Sequence, residues 1–475
     1  MRDDMSEILG VTRLGREDEG AVDIALSYGR IADIRPARVA PARRRLVLPA
    51  LANAHDHCRP LSPTSFGGAD KPLELWLLRL AAMPAIDPYL GALAAFGRAA
   101  RGGAGSVMAH YTRFHTADPV AEAREIARAA GDVGVRVTLA VFMRDRNPLV
   151  YGPSEDVLAK LPPGSRAALE ASFSAPMPSP AAQVARVEAI AAAVESPMFS
   201  VQFGPSGAQW CSDELLRLIA EASARSGRRI HMHFLETRYQ RAFADRHYAE
   251  GIAARLEALG LLSDRLTLAH CVWAREDELD ALARHGVTLA TNPSSNLHLR
   301  SGIAPVAEAM KRGVRVALGV DASAFDEDDD ILREARLGHF LHAGWGFETR
   351  ITREAWLEAI VANGRHANGA PGEGKIAPGA PADLLVLDLD RLDRDAVIPV
   401  APIDLLFARA TSAHIDALHV AGREIVTDGR LASVDLDATH AALRQQYRER
   451  MPGRSAFLAA WDPIPGAVAD YYGCC

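Results

Sequence analysis

Through the middle of the chain, short runs rich in Val, Ile, Leu and Ala alternate with longer stretches whose apolar residues recur at helical spacing. Eight such runs occur: RLVLPALANAH (45–55), SVMAHY (106–111), VRVTLAVFMR (135–144), MFSVQFGPSG (198–207), RIHMHFLE (229–236), LTLAHCVWA (266–274), VTLATNPSSN (287–296) and VRVALGVD (314–321). Strand-like runs separated by helical patterns are the signature of parallel βα units. After the fourth run the helix boundaries are explicit. Ser212 stands as an N-cap, and Asp213 and Glu214 fill the first turn, where the helix dipole favours anions. Leu215, Leu216, Leu218 and Ile219 lead on to Gly227, a C′ residue. Gly286 and Gly313 stand likewise just before the seventh and eighth runs. Eight units predict an α/β fold, a closed (β/α)₈ TIM barrel, whose chemistry gathers at the C-terminal ends of its strands.

The flanks carry a different pattern. Residues 15–48 (AVDIALSYGRIADIRP) and 374–431, with ADLLVLDLD (382–390) and LHVAGREIVTDGRL (418–431), read as short antiparallel strands around polar turns. Both ends therefore predict one small β-sandwich domain, 1–48 with 372–435, around a barrel over 49–371 and before a C-terminal extension, 436–475. Residues 145–197 form an Ala/Pro-rich insertion, partly helical and able to overhang the barrel mouth. The acidic run Asp326-Glu327-Asp328-Asp329-Asp330 reads as a solvated loop.

Composition narrows the classes. Of 475 residues, 53 are Lys or Arg and 60 Asp or Glu, for a net charge of −7. This argues against a nucleic-acid surface, which would show a basic stripe. No apolar run reaches the roughly 18 residues of a membrane span. The acidic start MRDDMSEILG lacks the apolar segment of a signal peptide. Cys58, Cys211, Cys271, Cys474 and Cys475 are too sparse for a disulfide scaffold, so a reducing cytoplasm is expected. The terminal Cys474-Cys475 pair lacks a prenylation spacing and reads as a plain chain end.

The chemistry-bearing residues fall at the ends of these strands. The first run ends His55-Asp56-His57, and in an extended segment residues i and i+2 share a side. The fifth run carries His231, His233 and Glu236, the sixth ends at His270 and the eighth at Asp321. Three neutral imidazoles and a carboxylate suit Zn²⁺ or a similar divalent ion, with room left for water, so not every candidate need be a ligand. Glu74 and Trp76 in KPLELWLL (71–78), Gln209 and Trp210 after the fourth run, and Asn292 near the end of the seventh would suit a flat, hydrogen-bonding N-heterocycle. The plainer reading makes each Trp core and each Asn a turn residue, and it is preferred for Asn296, as a cap of the strand-to-helix loop.

LPALANAHDH (48–57), HFLET (233–237), AHCVW (269–273), NPSSN (292–296), LGVD (318–321) and GKIAPGAPADLLVLD (374–388) together resemble the amidohydrolase superfamily, in its cytosine-deaminase-like and triazine-hydrolase-like branch, over most of the chain. The resemblance implies His55, His57, His233 and Asp321 as metal ligands, and Glu236 and His270 as acid/base and polarising residues. It also implies substrate contacts in the loop that holds Glu74 and Trp76. His231 matches no required position and reads as a supporting or packed histidine. Two-metal members use a carbamylated Lys on the fourth strand, and 198–207 contains none, so a single ion is expected. Zn²⁺ is preferred, with Fe²⁺ and Mn²⁺ as alternatives. Adenosine-type members often carry Pro-His-Ser-Pro where this chain has Pro205-Ser206-Gly207-Ala208, and the loop from Asp321 to Asp326 also differs from theirs. A free base therefore fits better than a nucleoside.

The expected function is mononuclear, metal-dependent hydrolytic deamination of a purine, pterin, pyrimidine or triazine. The rivals are hydrolysis of a urea, carbamate or cyclic amide, and a non-catalytic barrel scaffold. The expected partner is a small-molecule substrate, with neither nucleic acid nor membrane, and a homodimer is the commonest assembly for such a protein.

Overall fold

A computed structural model describes every residue of the chain except 1–4, 70, 113, 115, 322–327 and 474–475. The chain enters through β1 (Met5–Arg13), β2 (Ala21–Ser27), β3 (Arg30–Pro36) and β4 (Arg45–Pro49). It then lays down β5 (Leu51–Asp56), β6 (Ala104–Tyr111), β7 (Arg136–Met143), β8 (Phe199–Pro205), β9 (Ile230–Phe234), β10 (Leu266–His270), β11 (Thr288–Thr291) and β12 (Arg315–Leu318). These eight pair in sequence order, all parallel, as a barrel. Helices cover the outer face, so both faces of the strands are buried and the sequence reads as nearly unbroken apolar runs.

The last seam closes at the mouth. The amides of Val320 and Asp321 donate to the His55 carbonyl at 3.1 and 2.9 Å, and Val320 N also donates to Asn53 Oδ1 at 3.0 Å. Gly319 permits the approach, because a Cβ there would lie 2.7 Å from the His55 carbonyl oxygen. Ser212 and Gly227 bound the helix Asp213–Ser226 as expected; Ser212 Oγ accepts from Leu215 N at 3.1 Å, and Gly227 is left-handed at φ +72°.

After the barrel come β13 (Leu384–Asp388), β14 (Ile415–Val420), β15 (Arg423–Thr427) and β16 (Arg430–Leu431). They join the first four strands in one sheet of order β16-β15-β14-β13-β4-β1-β2-β3. Both chain ends thus build this second sheet, as expected, and it is one continuous sheet. Ile31 N donates to Ala380 O and Ala382 N to Gly29 O, both at 2.9 Å, and Ile24, Leu26, Val47, Leu384 and Val386 share its interior. The run 45–55 is thus two strands in two sheets. Leu46 and Leu48 point into the barrel-side core and Val47 into that of the second sheet, so a single apolar run serves both interiors.

The insertion is partly helical, with helices Pro163–Phe173 and Pro180–Val194. The C-terminal extension is tied to it: Tyr151 N donates to Tyr472 Oη at 3.1 Å, and Ser165 Oγ to Ala460 O at 2.7 Å. The acidic run departs from the solvated loop expected of it. Asp326 and Glu327 lie outside the described residues, as do Cys474 and Cys475, but Asp329 and Asp330 are buried. Asp329 accepts from Arg98 Nε at 3.0 Å, and Asp330 caps the helix Ile331–His342 through Arg333 N at 3.0 Å. Among the described residues no helix is long and apolar enough to cross a membrane.

Candidate metal and active site

Four acceptors converge where β5, β9 and β12 end. Asp321 Oδ1 lies 3.1 Å from His55 Nε2 and 3.3 Å from His57 Nε2, and His57 Nε2 lies 3.3 Å from His233 Nε2. The opposite ring nitrogens fix the tautomers. His57 Nδ1 lies 2.8 Å from the carbonyl of His110, and His233 Nδ1 lies 2.8 Å from that of Ser206. A carbonyl only accepts, so both Nδ1 atoms carry the proton and both Nε2 atoms present lone pairs. Burial among other imidazoles pushes the pKa of His55, His57 and His233 well below the ordinary value, which keeps them neutral. His55 Nε2 is buried without a hydrogen-bond partner, while its Nδ1 lies 2.8 Å from His231 Nε2. The lone pairs of His57 Nε2 and His233 Nε2 face one another with no proton between them and repel, and a cation beside them removes the repulsion. The donor set therefore fits a divalent ion of the His₃Asp kind. The flanking hydrogen bonds orient each ligand, as outer partners do in metal sites. Cys58 and Cys271 follow His57 and His270, but burial raises both thiols well above their ordinary pKa, so neither offers a thiolate.

Two further buried titratable groups stand beside this set. Glu236 and His270 are buried, with His270 Nε2 3.7 Å from Glu236 Oε2 and 3.8 Å from Asp321 Oδ2. Burial, with the charges of Asp321 and Glu74, pushes the Glu236 carboxyl well above the usual range, which favours its protonated form. The short helix Pro293–His298 braces both neighbours. Ser295 Oγ donates to Asp321 Oδ2 at 2.6 Å, and Asn296 Oδ1 accepts from His270 Nδ1 at 2.9 Å, which turns the Nε2 lone pair toward the site. Asn296 thus lies inside the helix and positions His270, rather than capping the loop. Cys58, Leu235, His270, Cys271 and Asp321 hold φ between +47° and +75°. Such left-handed backbone in non-glycine residues clusters where surrounding structure holds a site in shape.

A cavity of about 560 Å³ opens above these groups. Glu74, Trp76 and Trp210 line it, as do the site residues His57, His233, Glu236, His270 and Asp321. Glu74 Oε1 accepts from Tyr151 Oη at 3.0 Å and Thr237 Oγ1 at 2.5 Å, leaving Oε2 buried and unpartnered. Gln209 and Asn292 are buried but are not among the lining residues. The Gln209 carbonyl accepts from Asn147, and the Asn292 side chain lies 3.2 Å from His270 Nδ1, behind the imidazole. The walls also recruit residues that sequence reading did not single out: Arg59, Tyr151 and Phe173, with Tyr447 and Tyr472 from the C-terminal extension. The Arg59 guanidinium is lowered by burial to about 10, so it stays charged at neutral pH.

A barrel whose strand ends gather imidazoles and carboxyl groups around a cation-ready centre defines a hydrolase class, and the chain's similarity to known proteins gives its family. The chain belongs to the amidohydrolase family, whose model matches residues 46–425. It is 29% identical over 396 residues to a 5′-deoxyadenosine deaminase of Methanothermobacter thermautotrophicus, covering 82% of this chain and 83% of that one. It is also 29% identical over 457 residues to a 5-methylthioadenosine/S-adenosylhomocysteine deaminase of Syntrophobacter fumaroxidans, covering 92% and 95%. Among solved structures, a zinc-bound adenosine deaminase of Xanthomonas campestris superposes with a TM-score of 0.74 at 25% identity, covering 91% and 94%. A zinc complex of atrazine chlorohydrolase from Arthrobacter aurescens shares the fold, with a TM-score of 0.74 at 22% identity over 93% and 99%.

Proposed function

We propose that this protein is a mononuclear metal-dependent aminohydrolase that removes an exocyclic amino group from an N-heterocycle as ammonia. The observation that carries the reading is the convergence of the Nε2 atoms of His55, His57 and His233 on Asp321 Oδ1, beside the buried Glu236 carboxyl. These four residues would hold one divalent ion, preferably Zn²⁺. When bound, the ion makes hydroxide available from water near neutral pH.

The chain's own groups then move the protons. Asp321 takes a proton from the attacking water as its oxygen bonds to the carbon bearing the amino group. Glu236 gives its proton to the adjacent ring nitrogen, which makes that carbon more electrophilic. His270, held by Asn296, keeps the attacking oxygen between the two carboxyl groups. The proton collected by Asp321 passes to the amino group, which leaves as ammonia. The new hydroxyl returns a proton to Glu236, and the ring is left with a carbonyl.

The names of the relatives, a 5′-deoxyadenosine deaminase and a 5-methylthioadenosine/S-adenosylhomocysteine deaminase, support including adenine nucleosides among the candidate substrates. The departure at Pro205-Ser206-Gly207-Ala208 favours testing free bases beside them. A panel of amino-substituted purines, adenine nucleosides, pterins, pyrimidines and triazines is assayed for ammonia with zinc-loaded protein. Release from at least one class, lost with a chelator and regained with Zn²⁺, is expected. Ring opening or amine release without ammonia would contradict it.

A further inference from the structure

Arg59 lies two residues beyond the ligand His57 and lines the same cavity as His57 and Asp321. Its Nε and Nη2 atoms are buried and make no hydrogen bond, and no described carboxylate pairs with the guanidinium. Buried cations are normally paired, because desolvating a charge without a partner is expensive. The guanidinium rests over the face of Trp76, 5.1 Å from the ring centroid, a contact that leaves the N–H donors unspent. Its backbone is fixed independently: Arg98 Nη2 donates to the Arg59 carbonyl at 2.6 Å and Nη1 to the Pro60 carbonyl at 2.8 Å. A planar donor fork is therefore held in place at the wall of a substrate cavity with its partner still to come.

We infer that Arg59 is a specificity residue that pairs with an anionic oxygen on the substrate, so that the heterocycle bears a pendant carboxylate or an ionised ring oxygen. A guanidinium matches such oxygens with two parallel N–H donors, where an ammonium would act only as a point charge. The contact with Trp76 holds the guanidinium against the face of the ring. Glu74 Oε2, also buried and unpartnered in the same wall, is left to accept from a ring N–H. The inference rests on the deaminase reading for the identity of the ligand as substrate, but its test does not use turnover.

The probes are uracil, orotate and barbiturate, none of which has an amino group to lose. The first is neutral, the second carries a pendant carboxylate and the third an ionised ring oxygen. Calorimetric Kd values are measured on zinc-loaded wild type and on Arg59→Gln of equal metal content. At least one anion is expected to bind wild type tenfold or more tighter than uracil, with that preference falling to threefold or less in Arg59→Gln while uracil affinity is unchanged. Preference for orotate alone assigns the carboxylate, for barbiturate alone the ring oxygen, and for both a general oxyanion site. Equal binding of all three by wild type overturns the inference. So does a preference that survives in Arg59→Gln, as it would if the anion merely ligated the metal. Should Arg59→Gln not fold, Arg59→Lys replaces it, and an undiminished preference there overturns the inference equally. A protein that releases no ammonia from any heterocycle would sink the deaminase reading, yet these affinities would still be readable.

Discussion

The rim of the barrel and the walls of its cavity are built on opposite terms. At the rim, four candidate site residues have the far atom tied: His57 to the His110 carbonyl, His233 to that of Ser206, His270 to Asn296, and Asp321 to Ser295. Along the walls, residues distant in sequence meet only through tertiary packing, with Trp76, Tyr151 and Tyr472 coming from three separate segments. Their contacts are chiefly apolar and aromatic, such as Tyr151 packed edge-on against Trp210 and Tyr472. The rim is held by short ties at the strand ends, whereas the walls depend on segments brought together by packing. This is the division expected of a barrel that changes substrates by changing loops.

Substitutions can break that division. Removing the proton donor should have the largest effect: Glu236→Gln lowers kcat by about 10²–10⁴-fold while metal content stays at the wild-type level. Retained turnover at full metal occupancy would remove Glu236 from proton transfer. A second tier concerns the braces. Asn296→Ala and Ser295→Ala free His270 and Asp321 and should cost about 10–100-fold in activity or metal affinity, read by steady-state kinetics and competition with a chelator. The walls should respond differently. Tyr472→Ala is expected to raise KM about tenfold with kcat nearly unchanged, the signature of lost uniform binding. A fall in kcat with KM unchanged would show that the extension takes part in the rim's work.

The smallest expected effect is on stability. Glu334 accepts from Ser294 N at 2.8 Å and so anchors the bracing helix, and burial raises its carboxyl from 4.5 to about 7. Between those values the native state keeps a proton that the unfolded chain has released. Stability therefore falls as pH rises from about 4.5 to about 7 and levels off above. Glu334→Gln removes that slope. Its unfolding free energy relative to wild type should climb across this window by at most about 3 kcal/mol, measured by denaturant titration at constant metal. A difference that stays flat across the window would mean that Glu334 titrates normally.

The same division governs what the sequence discloses. The eight barrel strands and the residues at their ends are legible because strand periodicity is local, and an H-x-H or H-x-x-E at a strand end carries its own orientation. The run 45–55 conceals a change of sheet, because an apolar run that serves two interiors looks like one long strand. NPSSN is visible as a motif, but the helical register that turns Ser295 to Asp321 and Asn296 to His270 appears only once the helix is placed. Charge counting fails at Asp329 and Asp330, where Arg98 and a helix N-terminus draw acidic side chains inward. Nothing local to 436–475 indicates that Tyr447 and Tyr472 reach the cavity, since that depends on packing against distant residues, Phe66 for Tyr447 and Tyr151 for Tyr472.

The central claim is that four converging acceptors hold one ion on which hydrolysis depends. It is tested most directly by stripping the protein with a chelator and titrating Zn²⁺ back while following ammonia release from a substrate found in the panel. The account predicts no release from the stripped protein and a linear return of activity that breaks at one ion per chain. Full turnover without metal, or a break at two ions per chain, would contradict it.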